Sequence, residues 1–213
     1  MKKRPEPLSW ADANQRYLLE ALSIIRARLE LYIEKHYVET QKEIKVQKEA
    51  SNSEQKVKRK TLKKTAFSMP APAAIETLCS MFGLSPFERD ILLLCAGIEL
   101  DSSFAYLCAE AQGDASRKYP TFSLALAALT EPHWSALTPA APLRRWNLIE
   151  IKPGISNSLI SGQLQIDERI LHYLTGVHYL DERLTGFVEP LPVHGEHKLV
   201  NSYKAIANRI IHT

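Results

Sequence analysis

Apolar residues from Leu18 onward recur every three or four positions, the spacing of one face of an α-helix. Ser9 followed by Asp12 is a helix-start signal, and no glycine or proline interrupts the stretch that follows. The pattern predicts an N-terminal amphipathic helix within residues 1–40. The narrow apolar stripe of this helix, or seam, must pack on a domain or a helical partner. The residues of the seam that are candidates for protein contact are Leu18, Leu22, Ile25, Leu29 and Tyr32.

A second region, residues 69–184, has the caps and apolar runs of a compact domain. A first helix is predicted to end at Gly83, because glycine accepts the left-handed conformation found at helix ends. The next begins with a capping box, since Ser85 can cap it and Glu88 stands three residues later. Its apolar run, Ile91 to Ile98, is hydrophobic all round and is predicted to lie at the centre of the domain.

The rest of this region predicts short helices and a β-hairpin. Helices are expected near 102–112, 122–129 and 168–174, with a short one near 134–137. Segments 146–151 and 158–166 are strand-like and are divided by a turn containing Pro153 and Gly154. This order is typical of a winged helix, so the predicted fold is mainly α: a helical leader plus a winged-helix-like domain with a small β-hairpin.

The last segment, residues 185–213, predicts a loop and the start of a connecting helix. Apolar residues such as Leu199, Ile206 and Ile210 recur at helical spacing, but the chain stops at Thr213 without a capping residue. We expect this chain to be the N-terminal part of a longer protein.

Positive charge is concentrated outside the predicted folded regions. Residues 41–64 carry nine lysines or arginines against three glutamates. We interpret residues 41–68 as a basic, flexible linker; the alternative is an arm that binds nucleic acid. The candidate residues of that alternative are Lys56, Lys58, Arg59, Lys60, Lys63 and Lys64.

Sequence motifs for catalysis, cofactors or metals are missing. The eight glycines form neither a P-loop nor a dinucleotide-binding fingerprint. His194 and His197 form a pair with no third ligand nearby. The three cysteines lie in apolar segments without a Cys-x-x-Cys pair, which fits a reducing compartment. We expect no catalytic residue, cofactor or metal in this chain, and a cytoplasmic protein, because neither an export signal nor a membrane-spanning run is visible.

Specific DNA binding would need basic or amide side chains on a groove-facing helix. The two candidate helices, 102–112 and 122–129, contain no lysine or arginine. The sequence therefore disfavours nucleic acid as a partner and leaves the basic arm as its main support.

Three separated blocks resemble a known family. Residues 84–101 (LSPFERDILLLCAGIELD), 142–150 (PLRRWNLIE) and 164–174 (LQIDERILHYL) are similar to the winged-helix region ahead of the ATPase modules in a bacterial AAA+ family. That family resembles the segregase class and accompanies contractile injection systems. The resemblance covers roughly residues 69–184.

The resemblance implies a division of labour within a longer protein. Its ATPase modules would bind ATP and Mg²⁺ and form a homo-hexamer, so the parent chain would be an ATPase while this chain is not an enzyme. This part would be a non-catalytic protein-interaction or assembly domain that recognises substrates, adaptors or injection-system components. The alternative is a winged-helix nucleic-acid-binding regulator that uses the basic arm 41–64.

Overall fold

A computed structural model describes residues 9–40, 62, 65, 69, 71–152, 158–177, 184 and 187. The chain divides into two compact units, 1–178 and 179–213. Of the second unit only Leu184 and Phe187 are described, and the Phe187 N–H donates to the Leu184 carbonyl at 3.0 Å. The C-terminal helix predicted within 185–213, and all of the basic linker except Leu62 and Thr65, lie outside the described residues.

Helices dominate the first unit and a single hairpin completes the described part of it, which confirms the predicted fold class. The helices are α1 (Trp10–Thr40), α2 (Ala74–Phe82), α3 (Pro86–Leu100), α4 (Ser103–Ala111), α5 (Phe122–Ala128), α6 (Pro142–Arg145) and α7 (Glu168–Thr175). The strands are β1 (Ile149–Lys152) and β2 (Gln163–Ile166), and 3-10 turns occur at Trp134–Leu137 and Leu159–Ser161. None of the described helices has the length and apolar content needed to cross a membrane.

Helix α3 forms the centre of the fold, as its apolar sequence predicts. The predicted capping box is present: the Glu88 N–H donates to the Ser85 hydroxyl, and the Ser85 N–H donates to the Glu88 carboxylate. Ile91, Leu92, Leu93 and Leu94 are fully buried. Because these consecutive residues point in different directions around the helix, α3 needs protein on every side.

Helix α1 supplies one of those sides. It packs against α3, α4, α5 and α7, and its apolar seam belongs to the same core as the rest of the unit. Buried Asn14 fixes its N-terminal end, since the side-chain amide donates to the Leu174 carbonyl at 2.9 Å and its oxygen accepts the Ala74 N–H at 2.8 Å. The helix that the sequence pattern set apart at residues 1–40 therefore shares one hydrophobic core with elements of the region at 69–184.

The hairpin pairs β1 and β2 antiparallel, with Ile149 opposite Ile166 and Lys152 opposite Gln163. On its other side β2 meets the residues before α5, where Thr121 bridges Gln163 and the Leu164 N–H donates to the Pro120 carbonyl at 2.9 Å. Gly162 permits this close packing, because a Cβ there would lie 2.8 Å from the Ile151 side chain.

The strands are shorter than the sequence predicts. Of segment 146–151, only residues 149–151 are strand, and of segment 158–166 only the last four residues are. Pro142 begins a helical turn that continues into a left-handed Asn147, and a 3-10 turn uses Leu159–Ser161. Local turn chemistry prevails over the strand-like pattern at both places.

Candidate functional site

The helix pair before the hairpin is the position at which a DNA-binding winged helix would read the major groove. In a helix-turn-helix, the second helix enters the groove. We assign α5 as the first helix of the pair. Its N-cap residue, Thr121, forms an antiparallel β-bridge with Gln163 in the hairpin strand β2, so α5 begins directly beside the hairpin. The second helix must then come from residues 134–145, and not from either 102–112 or 122–129 as expected from sequence.

That second helix is interrupted. Residues 134–137 form a 3-10 turn and α6 is only four residues long. Pro139 lies between them and Pro142 opens α6. Since an internal proline lacks the N–H that helical hydrogen bonding needs, this segment cannot present one continuous helix to a groove.

The basic side chains near this segment are few, and two of them have intramolecular contacts. Arg144 donates from Nη1 to the Leu137 carbonyl at 2.8 Å, which joins α6 to the 3-10 turn. The Arg145 guanidinium lies over the Trp146 ring, 5.2 Å from its centroid. Lys152, at the end of β1, is exposed. Only Arg145 and Lys152 of these three are exposed, so the segment offers little positive charge to a phosphate backbone.

A pair of aromatic side chains lies beside α6, with an exposed methionine one residue away in the sequence. Trp146 is 48% exposed and its ring lies 5.5 Å from that of half-buried Phe82 at the end of α2. Met81, next to Phe82, is 70% exposed. We call Met81, Phe82, Arg145 and Trp146 the Trp146 surface. Tryptophan, phenylalanine, methionine and arginine are the residue types enriched where proteins bind one another.

The backbone after α6 holds Trp146 outward. The Leu148 N–H donates to the Leu143 carbonyl at 2.9 Å, and the Asn147 N–H donates to the Arg144 carbonyl at 3.1 Å. With Asn147 at φ 50°, this is a Schellman motif. Leu143 and Leu148 are buried on its inner side, so Trp146 at the C-cap remains at the surface.

Helix α2 ends in a similar way. Gly83 has φ 65°, and the Leu84 N–H donates to the Cys79 carbonyl at 3.0 Å. This C-cap terminates α2 directly after Met81 and Phe82. Two capped helix ends therefore create the Trp146 surface.

The five residues predicted to contact a partner lie elsewhere. Leu18, Leu22, Ile25 and Leu29 are at most 4% exposed and contribute to the core. Tyr32 is half-buried and packs edge-on against His36 at 4.6 Å. The apolar seam of α1 thus packs inside the chain, so exposed residues are the candidates for a partner surface. The six basic residues proposed for the alternative, from Lys56 to Lys64, lie outside the described residues.

The described side chains also contain one serine–histidine pair that the sequence pattern did not reveal. The Ser85 hydroxyl lies 2.9 Å from His133 Nε2, and His133 Nδ1 lies 2.8 Å from the Ser135 hydroxyl. Ser85 already caps α3, and His133 packs 5.1 Å from Phe87. The contacts found are those of a helix cap joined to the 3-10 turn.

The thiols are poor nucleophiles and poor metal ligands in this fold. Burial raises the pKa of Cys79 and of Cys108 to about 12 and also raises the pKa of Cys95. At neutral pH all three stay protonated, whereas thiolate is the reactive form. Among the described residues, no cluster of histidine, cysteine or carboxylate side chains is arranged to hold a metal ion.

The exposure of Trp146 was missed at the level of sequence, because residues 146–151 have a strand-like pattern. Pro142 as a first helical residue followed by Asn147 would have been the local signal for a short helix with a Schellman end. That the indole lies beside Phe82 follows from tertiary packing, which local patterns do not report.

Comparison with known proteins gives one family match. The model for the family described as "Winged helix domain, variant" matches residues 9–188, which include α1 as well as the hairpin and α7. No curated protein and no solved structure matches the chain. On the strength of a match that spans most of its length, the chain belongs to this family of variant winged helix domains.

Proposed function

We propose that this chain is a non-catalytic protein-interaction or assembly domain of a AAA+ ATPase. It would recognise a substrate, an adaptor or a component of a contractile injection system, which the ATPase modules would then remodel. Winged helix domains bind DNA or protein, and the family match supports that coarser role. The choice of protein over DNA rests on the chain's own surface.

The observation that carries this choice is the broken helix at 134–145, next to the Trp146 surface. The element that would enter a DNA groove is divided into two short pieces. At its end the chain exposes a tryptophan beside a phenylalanine. An exposed aromatic surface of this kind favours protein contact, because its burial removes apolar area from water.

The AAA+ part of the proposal rests on resemblance. Its three blocks correspond to α3, to α6 and the start of β1, and to β2 and α7, which are core elements of the fold. By the same resemblance, the parent would be a cytoplasmic homo-hexamer that binds ATP and Mg²⁺. A Gly-x-x-x-x-Gly-Lys-Ser/Thr motif in the continuation of the reading frame is the sequence that this parent requires.

A binding panel tests the proposal. The immobilised chain would be exposed to purified sheath, tube, baseplate and effector proteins of an injection system, with interferometry as the readout. We expect saturable binding of at least one component. Trp134 is a second exposed tryptophan, and a Trp134→Glu variant tests whether binding depends on it. Failure of every component to bind the wild-type chain would refute the proposal.

The alternative function, a nucleic-acid-binding regulator, is favoured by the basic composition of residues 41–64. Binding through such an arm must weaken steeply as salt increases, because it depends on counterion release. A gel-shift assay at low salt, with Lys58, Arg59 and Lys60 all changed to alanine as the comparison, tests it. If the wild-type chain does not retard DNA or RNA, the alternative is excluded.

A further inference from the structure

We propose that the Trp146 surface binds a partner protein segment in which a large apolar side chain stands close to an aspartate or glutamate. This inference deepens the proposed function, on which it rests, by assigning the surface and the chemistry of its partner. Trp146 and Phe82 would hold the apolar side chain, and Arg145 would bind the carboxylate.

The apolar half of the surface consists of two aromatic rings in contact and one exposed methionine. Trp146 is 48% exposed and Met81 is 70% exposed, and the centroid of the Phe82 ring, at the end of α2, lies 5.5 Å from that of the indole. Aromatic rings offer a broad apolar face, and a flexible methionine can adapt to apolar side chains of more than one shape. Recognition on this half should therefore depend on size and apolarity.

The charged half of the surface determines that the partner should carry negative charge. Within the part of the chain that the structure describes, Arg145 forms no ion pair with a carboxylate, and its guanidinium contacts the Trp146 ring. Other arginines do have carboxylate partners: Arg26, Arg28, Arg89, Arg117 and Arg169. Arg145 is exposed, so an incoming carboxylate can reach it.

The cation–π contact of Arg145 with Trp146 also prepares it for that role. A guanidinium within about 6 Å of an indole centroid is attracted by the ring face. A guanidinium that lies over a ring can still donate its N–H groups to a carboxylate, whose two oxygens they match. Because the ring already restrains the arginine, less conformational entropy is lost when an acidic residue binds.

The backbone adds a second source of rigidity. The hydrogen bonds from Asn147 to Arg144 and from Leu148 to Leu143 fix the turn that carries both Arg145 and Trp146. Buried Leu143 and Leu148 anchor the turn to the core. A site on a restrained turn holds its contacts more accurately than one on a loose loop.

Single-stranded nucleic acid is the other ligand class that stacks on tryptophan and arginine. It requires a positively charged groove that follows its backbone. The strand that follows Trp146 carries exposed Glu150 as well as exposed Lys152, so the described chain beside this surface has mixed charge. Protein is therefore the occupant that these residues favour.

Peptide selection tests the proposal while the partner is still unidentified. A phage-displayed library of random peptides would be selected on the whole chain and, in parallel, on Arg145→Gln, Trp146→Ala and Trp134→Ala. The last variant removes an exposed tryptophan outside the Trp146 surface. Circular dichroism and thermal unfolding of each variant check that the fold is retained.

We expect the wild-type chain to enrich peptides with an acidic residue close to Trp, Phe, Leu or Met. Their affinity should fall about tenfold or more with Arg145→Gln and with Trp146→Ala, and should be kept with Trp134→Ala. Absence of enrichment, enriched peptides without acidic residues, or equal binding by Arg145→Gln would overturn the proposal. Displacement of the peptides by an oligothymidine would identify the surface as a nucleic-acid site instead.

The two proposals fail in distinguishable ways. If an injection-system component binds the wild-type chain and Trp146→Ala equally well, the proposed function stands and the docking surface lies elsewhere. If acidic peptides bind through Arg145 and Trp146 while every panel component fails to bind, the surface stands and the partner belongs to another assembly.

Discussion

Buried polar side chains tie the N-terminal helix to the rest of the fold. Arg28 on α1 forms an ion pair with Asp90 on α3, and both side chains are less than a tenth exposed. Thr130 adds a hydrogen bond to Asp90 at 3.3 Å, and Arg89 pairs with Glu76 on α2 at 2.7 Å. Charges removed from water depend on their partners, so this network specifies where α1 docks.

Loss of one partner should therefore be severe. We expect Asp90→Ala to lower the free energy of unfolding by about 3–5 kcal/mol, because it leaves Arg28 buried without its carboxylate. Urea denaturation followed by circular dichroism measures the change. Arg26→Ala is the control, since Arg26 forms exposed pairs with Glu30 at 3.2 Å and with Asp101 at 3.4 Å, and an exposed pair contributes about 1 kcal/mol or less. Equal losses in the two variants would contradict the role given to the buried pair.

Because its thiols are buried, the folded chain is predicted to lose stability at alkaline pH. The pKa of Cys108 rises from its ordinary value of 9.0 to about 12, because burial disfavours the thiolate. Above pH 9 the unfolded chain releases this proton while the folded chain keeps it. The stability that the folded chain gains by keeping the Cys108 thiol protonated and buried is therefore fully present below pH 9. It is lost as the pH rises towards 12.

Cys108→Ala isolates this contribution. Between pH 9 and 12, we expect the free energy of unfolding to fall less steeply in the variant than in the wild type. The difference should be about 1.4 kcal/mol per pH unit. Chemical denaturation at several pH values gives both curves. Parallel curves would show that burial of Cys108 does not penalise its thiolate.

At the scale of elements, α1 shows what periodicity can and cannot predict. Its three-to-four spacing predicts a helix with an apolar stripe, and the stripe is real. What covers the stripe depends on residues far away in the sequence, because α3, α4, α5 and α7 all pack against it. The same stripe is compatible with an external partner, so the pattern alone could not place it in the core.

The two faces of α1 should respond differently to charge. Leu29 is fully buried, whereas Leu19 on the same helix is 61% exposed. We expect Leu29→Lys to abolish cooperative thermal unfolding, because an unpaired ammonium would enter the core. Leu19→Lys should change stability by about 0.5 kcal/mol or less. If both variants unfold cooperatively with the same midpoint, α1 is not packed as described.

Helix ends were the most predictable features of the fold. The capping box at Ser85 and the left-handed Gly83 are formed by neighbouring residues, so the sequence predicts them directly. The strands predicted from the sequence were too long, because Trp146 and Asn147 belong to a helix end. The Trp146 surface could not be predicted, since the exposure of Trp146 and its contact with Phe82 depend on how α2 and α6 meet in space.

At the scale of the whole molecule, the domain keeps the winged helix order of elements. The helix that would read DNA in a DNA-binding winged helix is altered. The segment before the hairpin is divided into a 3-10 turn and a four-residue helix, and it ends in an exposed tryptophan. The N-terminal helix, which an external partner could have covered, completes the core. These changes leave the Trp146 surface as the contact that we propose for a protein partner.

Nuclear magnetic resonance of the indole N–H groups tests this account most directly. The chain has three tryptophans, Trp10, Trp134 and Trp146, and single substitutions would assign their signals. The labelled chain would be titrated with a component that binds in the panel and, separately, with duplex DNA of mixed sequence. We expect the protein component to shift the Trp146 signal, with DNA leaving Trp134 and Trp146 unchanged. Shifts of Trp134 and Trp146 with DNA, or protein binding that leaves the Trp146 signal in place, would contradict the account.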